Sequence, residues 1–192
     1  MLLVVGGQGR GAGKTAVIAG LIRATPEAAW TAVKLSAHAH GAAPGAGFKL
    51  TVQPAADETD AGRYLRAGAR RAYLAAAAPE ELRDAVAALR ALPEWGGDWI
   101  IESNRVLEWL EPDLYLAVFN QALAEVKPSC LRFLPRADGL VLVGGEAAPA
   151  WRDLLPAGVP RFPVQPPGYA SGALAEFVRG RRAHKREAAW FR

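Results

Sequence analysis

Cysteine is almost absent from this chain. One residue, Cys130, in 192 excludes an intramolecular disulfide and a cysteine-rich metal site, because both need several thiols. Histidine is scarce too, with His38 and His40 the two that lie close together. Two imidazoles with no nearby thiol fall short of a structural zinc set, so a phosphate or substrate contact, or a solvated loop, is the stronger reading of that pair. No apolar stretch approaches the roughly 20 residues of a membrane span. The first apolar run, residues 2–5, has no basic region before it and is too short for the core of a signal peptide. The expected location is therefore cytoplasmic, with no membrane partner. Charge is neither sparse nor one-sided: 22% of residues are charged and 51% are hydrophobic, which suits a folded α/β domain over residues 1–192 rather than a disordered chain. The net charge of +4 is uneven, and residues 179–192 carry much of it. That basic tail reads as a solvated helix end, and nucleic acid is not an expected partner. A guanine-reading N-K-x-D motif is also missing. Asn120-Gln121-Ala122-Leu123 stands at the end of a strand instead, leaving Asn120 as the candidate contact to a base and giving no sequence support for guanine over adenine.

What is present organises the chain from its first residues, MLLVVGGQGRGAGKT. An apolar run stops at a glycine-rich segment that ends in Gly13-Lys14-Thr15, and a helical apolar pattern (Val17, Ile18, Leu21, Ile22) follows. Strand, glycine loop and helix in this order form a phosphate-binding loop. Backbone N–H groups of Gly9, Arg10, Gly11, Ala12 and Gly13, with those of Lys14, Thr15 and Ala16 at the helix start, wrap an anion. Lys14 reaches the β and γ phosphates, and the Thr15 hydroxyl coordinates Mg²⁺. The pattern G-x-x-x-x-G-K-[ST] is broken at one place, where Gln8 occupies the position of the first glycine.

Strands are expected over residues 30–35, 48–52, 73–76, 98–102, 113–119, 139–143 and 160–164, the last at a sheet edge because it holds two prolines. Helices are expected over 61–72, from Pro79 through Leu92, over 104–110, 121–126 and 149–155, and from an N-cap at Ser171 into the tail. Residues 41–47 form a loose loop. Trp30, Trp95, Trp99 and Trp109 are assigned to the core or its edge. Alternating strands and helices predict an α/β fold of the P-loop NTPase type, a mostly parallel sheet with helices on both faces. Ligands of such sheets sit beyond the carboxyl ends of the strands. That rule selects Lys34, His38 and His40 after the second strand, then Glu102, Ser103 and Asn104, then Asn120. Glu102 is the best acid to hold Mg²⁺ or to orient an attacking water, with Asp60 second. The acids of 57–60 can equally cap the helix that follows.

Four segments in this order resemble the molybdopterin-guanine dinucleotide biosynthesis adaptor proteins, the MobB-like P-loop family. They are the glycine loop, TAVKLSAHAH, the stretch from Asp60 to Ala69 (similar to D-x-x-R-x-x-x-A-G-A), and DWIIES in place of a strand ending Val-Glu-Gly. The likeness covers about residues 1–105, and Gln8, Ser103, Asn104 and Arg105 depart from the family pattern. The resemblance implies a homodimeric GTP-binding protein with weak GTPase activity that assists a molybdenum-cofactor nucleotidyltransferase. It implies that Lys14 and Thr15 bind phosphate and Mg²⁺, that Asp60 and Glu102 line the metal side, and that Arg63 lies near the bound anion. Two other readings stay open: a small-molecule kinase or ligase on the same scaffold, using GTP or ATP, and a degenerate loop that binds nucleotide without turnover, which Gln8 motivates.

Overall fold

The computed structural model describes residues 1–36, 47–145 and 149–190. His38 and His40, and all but one residue of the loop expected at 41–47, lie outside the described residues. Eight strands make one sheet in the order β3-β4-β2-β5-β1-β6-β7-β8. They are β1 (Leu2–Gly7), β2 (Thr31–Ser36), β3 (Lys49–Val52), β4 (Arg71–Ala76), β5 (Trp99–Glu102), β6 (Leu114–Asn120), β7 (Gly139–Val143) and β8 (Arg161–Val164). Every pairing is parallel except that of the edge strand β3 with β4. The proline-bearing β8 is the opposite edge, where a missing N–H costs no ladder bond.

Strand side chains alternate between two cores. Leu3, Val5, Ile100, Leu116 and Val118 pack under α1 (Lys14–Ala24), α2 (Asp60–Arg66) and α5 (Gly172–Trp190). Val4, Val33, Ile101, Tyr115 and Phe119 pack under α3 (Leu82–Arg90), the turn at Arg105–Glu108 and α4 (Pro128–Phe133). Both faces of the parallel strands are thus covered, which is why the strands are apolar on consecutive residues.

Four expectations are corrected. The helix expected over 61–72 ends at Arg66. Gly68 takes φ 105°, its N–H reaches Leu65 O at 3.0 Å and the Ala69 N–H reaches Tyr64 O at 3.0 Å, a glycine-terminated helix end that releases the chain into β4. The stretch 121–126 is not helical, because Leu123 O accepts from Gln8 and the Gln121 N–H donates to Val143 O of β7. Trp109 is 41% exposed, whereas Trp30 and Trp99 are buried and Trp95 packs on Trp99 at 5.1 Å. The basic tail is not only a solvated end: most of its described residues are exposed, yet four of its cations are paired. Arg179 pairs with Glu27 (3.0 Å), Arg181 with Asp138 (3.1 Å), Arg182 with Asp98 (2.9 Å) and Lys185 with Asp113 (2.7 Å). Asp98, Asp113 and Asp138 each sit just ahead of a strand, so α5 straps the end of the sheet opposite the glycine loop. Ser171 starts that helix, its Oγ accepting from Leu174 N at 3.2 Å, as expected. No helix among the described residues is long and apolar enough to cross a membrane.

Candidate functional site

The glycine loop leaves the carboxyl end of β1, the strand between β5 and β6. Gly13 holds φ 92°, a left-handed conformation that needs no side chain, and its carbonyl accepts from Val17 N at 2.9 Å to start α1. Lys14 is half-buried and folds back so that its Nζ donates to Gly9 O at 2.5 Å across the loop. Burial, and then the charges of Lys34 and Lys127, push the Lys14 pKa below its ordinary value, with Glu102 opposing. Three ammonium groups therefore act on one another around this loop, an arrangement that favours an anion between them.

The register of the sheet builds the acid side. Lys34 of β2 lies directly beside Glu102 of β5, and Val5 of β1 lies on the other side of Glu102. Lys34 and Glu102 project to the face covered by α1 and α2, which bring in Thr15, Asp60 and Tyr64. The Glu102 side chain is 3% exposed. Its carboxylate accepts from Thr15 Oγ1 at 2.8 Å, from Tyr64 OH at 2.5 Å and from Lys34 Nζ in a short ion pair. Lys34 also pairs with Asp60 at 3.2 Å. Burial pushes the Lys34 pKa down, but the carboxylates of Glu102 and Asp60 outweigh it and the net shift is upward. Burial, with Glu102 beside it, holds the Tyr64 hydroxyl well above its usual range, so it stays protonated as a donor. Asp60 is placed by a helix start that it does not cap. Thr59 accepts from Gly62 N at 3.0 Å, and Asp57 in turn accepts from Thr59 N at 2.9 Å.

The donor set suits a magnesium nucleotide. Mg²⁺ takes one or two protein oxygens and completes its shell with phosphates and water, and the Thr15 hydroxyl and the Glu102 carboxylate are neighbours beside the loop. Lys14, Thr15, Asp60 and Glu102, selected separately along the sequence, are brought together. Gly9, Arg10, Gly11, Ala12, Gly13 and Ala16 form the loop and its helix start; Arg10 and Gly11 are exposed and Ala12 is buried. Arg63 is not brought to the loop: it stands exposed and pairs with Glu58 at 3.8 Å. Asn120 lies at the loop's flank, its Nδ2 donating to Gly11 O at 3.4 Å and its Oδ1 accepting from Ala122 N at 2.9 Å. Ser103 accepts from Val106 N at 3.3 Å, and Asn104 braces Gly7 at both N (2.6 Å) and O (2.8 Å), so these two hold the scaffold. Sequence reasoning missed Tyr64 and the bond between Lys34 and Glu102. Tyr64 had a signal, since it lies one helical turn from Asp60 on the same face.

Gln8, the departure from the loop pattern, is fully buried and fully bonded. Its N–H donates to Val118 O at 2.9 Å and its carbonyl accepts from Lys127 N at 2.8 Å. Its Nε2 donates to Leu123 O at 2.9 Å and its Oε1 accepts from Asn120 N at 2.8 Å. The loop closes with a glutamine at this position.

A mostly parallel sheet with helices on both faces and a glycine loop after its central strand is a P-loop NTPase-like α/β fold. No family model matches the chain, and no curated protein does. Solved structures that share the fold include HypB and LpxK. HypB from Helicobacter pylori, solved in complex with nickel, superposes with a TM-score of 0.55 at 13% identity, over 98% of this chain and 88% of that one. An "apo" form of LpxK from Aquifex aeolicus, solved in complex with ATP, superposes with a TM-score of 0.50 at 16% identity, over 85% of this chain and 53% of that one. The chain thus spans about half the length of LpxK. At these identities the likeness is one of fold.

Proposed function

We propose that this chain is a Mg²⁺-dependent purine nucleoside triphosphate-binding protein with slow NTPase activity, acting as a MobB-like accessory in the assembly of molybdopterin-guanine dinucleotide. One observation carries the reading: Glu102, 87 residues further along the chain than Thr15, meets Lys14 and Thr15 at the carboxyl end of β1 around a glycine loop that leads into a helix. On this reading the N–H groups from Gly9 to Ala16 hold the phosphates, and Lys14 leaves Gly9 O to neutralise the β and γ oxygens. Thr15 and Glu102 hold the metal, which supplies charge neutralisation of the phosphates when bound. Gln8 does not favour the degenerate reading, because its bonds to Val118, Asn120, Leu123 and Lys127 accommodate it beside a closed loop. A kinase or ligase remains the second reading: ATP in LpxK and the half-buried pair of Lys34 and Asp60 support it. A cytoplasmic location belongs to the proposal through the composition, and a homodimer and a nucleotidyltransferase partner through the family resemblance.

The test is calorimetric titration with GTP and with ATP, each with and without Mg²⁺. Metal-dependent preference for GTP supports the accessory reading, and preference for ATP moves the kinase reading ahead. Lys14→Ala is expected to reduce triphosphate affinity by at least about a hundredfold, since a charge-assisted contact and its pairing are both lost. Unchanged affinity in a folded Lys14→Ala protein refutes the phosphate-loop assignment.

A further inference from the structure

Gln8 raises a question that the nucleotide site alone does not answer: why a glutamine stands where the loop pattern has glycine. Its side chain and backbone make four bonds, and three of them go to residues 120–127, at Asn120 N, Leu123 O and Lys127 N. Trp151 Nε1 donates to the same Leu123 O at 2.7 Å and backs that segment from the other side. Pro128 follows and restricts Lys127 to an extended backbone, φ −67° and ψ 143°. The outcome is that the Lys127 side chain lies along the glycine loop. A Cβ built on Gly9 stands 3.4 Å from Lys127 Cγ and 3.7 Å from its Cε. Among the described residues no hydrogen bond or ion pair engages the Lys127 ammonium, in contrast to Lys14 and Lys34. Gly9 is also the residue whose carbonyl receives Lys14. Two lysines from different parts of the chain thus meet at one loop residue, one tied and one free.

We propose that Lys127 is a second phosphate-binding cation of this site, carried in cis by the Gln8 clasp and directed at the same terminal phosphoryl group that Lys14 is built to meet. The inference rests on the nucleotide-site reading above. It assigns Gln8 as the positioning residue: its amide spans the loop and residues 120–127, and a glycine there has no side chain to do so. The ligand class is a nucleoside triphosphate, distinguished from a diphosphate by the phosphoryl group at the Gly9 end of the loop.

The experiment compares a non-hydrolysable triphosphate with the matching diphosphate by calorimetry in Mg²⁺, for wild type, Lys127→Gln, Lys127→Arg and Gln8→Ala. Lys127 is exposed, so its variants are expected to fold normally. Lys127→Gln is expected to weaken the triphosphate about tenfold, as for loss of one charged hydrogen bond, and the diphosphate less than twofold. Lys127→Arg is expected to restore most of the difference. Gln8→Ala is expected to give the same selective loss, and adding Lys127→Gln to it is expected to cost little more. If wild type binds triphosphate but Lys127→Gln binds it unchanged, or loses both nucleotides equally, the role of Lys127 is overturned while the nucleotide site stands. If wild type binds neither nucleotide, the site reading fails and this inference falls with it. Should Gln8→Ala not fold, the comparison of Lys127→Gln with Lys127→Arg decides alone.

Discussion

Replacing Lys34 by Met removes the only ammonium within ion-pair distance of Glu102 among the described residues while keeping the length of the side chain. Breaking a fully buried ion pair costs about 3–5 kcal/mol, because the surviving charge stays buried. Two features reduce that figure here. Lys34 is 25% exposed, and Thr15 and Tyr64 still donate to the carboxylate at 2.8 and 2.5 Å. The expected loss is about 2–3 kcal/mol. With a urea m-value of roughly 2 kcal/mol/M, the unfolding midpoint falls by about 1–1.5 M. The assay is urea denaturation followed by far-ultraviolet circular dichroism. Lys34→Met/Glu102→Gln is expected to recover most of the loss, since with both charges removed neither is stranded. The pH dependence has a definite sign. The Lys34 pKa is raised above its ordinary 10.5, so the pair's contribution is fully present below 10.5 and is lost as pH rises through the higher folded value. The variant should therefore lose less stability than wild type above pH 10.5. A Lys34→Met midpoint within about 0.25 M of wild type, or a double variant as unstable as the sum of the two singles, refutes the claim that Lys34 neutralises a buried Glu102.

Glu102→Gln alone is expected to keep Mg²⁺-nucleotide affinity within a few-fold but to lower steady-state phosphate release by at least about tenfold; equal release rates would remove Glu102 from the site. Gly20→Ala places a methyl carbon 2.5 Å from Gly168 O, a backbone atom that cannot turn aside, and is expected to cost about 1–3 kcal/mol, lowering the calorimetric Tm by roughly 3–10 °C. For Asp98, burial raises the pKa, but Arg182 and the terminal ammonium outweigh it and the net shift is downward. Its contribution is present above the ordinary 3.8 and lost as pH falls through the lower folded value, so Asp98→Asn should flatten the acid limb of a stability profile between pH 5 and 2.

The sheet was legible because each buried strand is a short apolar run and the phosphate loop marks the first turn. The edge β8 was legible through its prolines. The errors fall where local preference lost to distant partners. Residues 121–126 have adequate helix propensity, yet Leu123 O and Asn120 N are bonded by Gln8, more than a hundred residues away in the chain. The tail arginines read as solvated because a charge run usually is, and nothing local shows that Asp98, Asp113 and Asp138 align under one helix. In α2 the signal was present: an Ala-Gly-Ala end is a helix stop, and it was outweighed by the arginines beyond it.

The candidate site divides along the same line. Residues contributed by one continuous segment, Gly9 to Ala16, follow from a motif whose spacing is set by the size of a phosphate. Glu102 and Asn120 follow from a topological rule, since each ends a strand on the ligand side of a parallel sheet. The bond between Lys34 and Glu102 follows from neither. It requires that β2 lie beside β5, with Thr31 opposite Trp99, so that equal steps along the two strands bring lysine against glutamate on the face under α1 and α2. Strand order is a property of how helices cross over the sheet, and none of the neighbours along β4-β2-β5-β1-β6 is consecutive in sequence. The carboxyl-end rule marks Lys34 as a ligand-side residue, but its partner stays hidden until the order β2-β5-β1 is known. Once it is known, the same lysine becomes the counter-charge that permits an acid with 3% side-chain exposure to stay beside the phosphate loop.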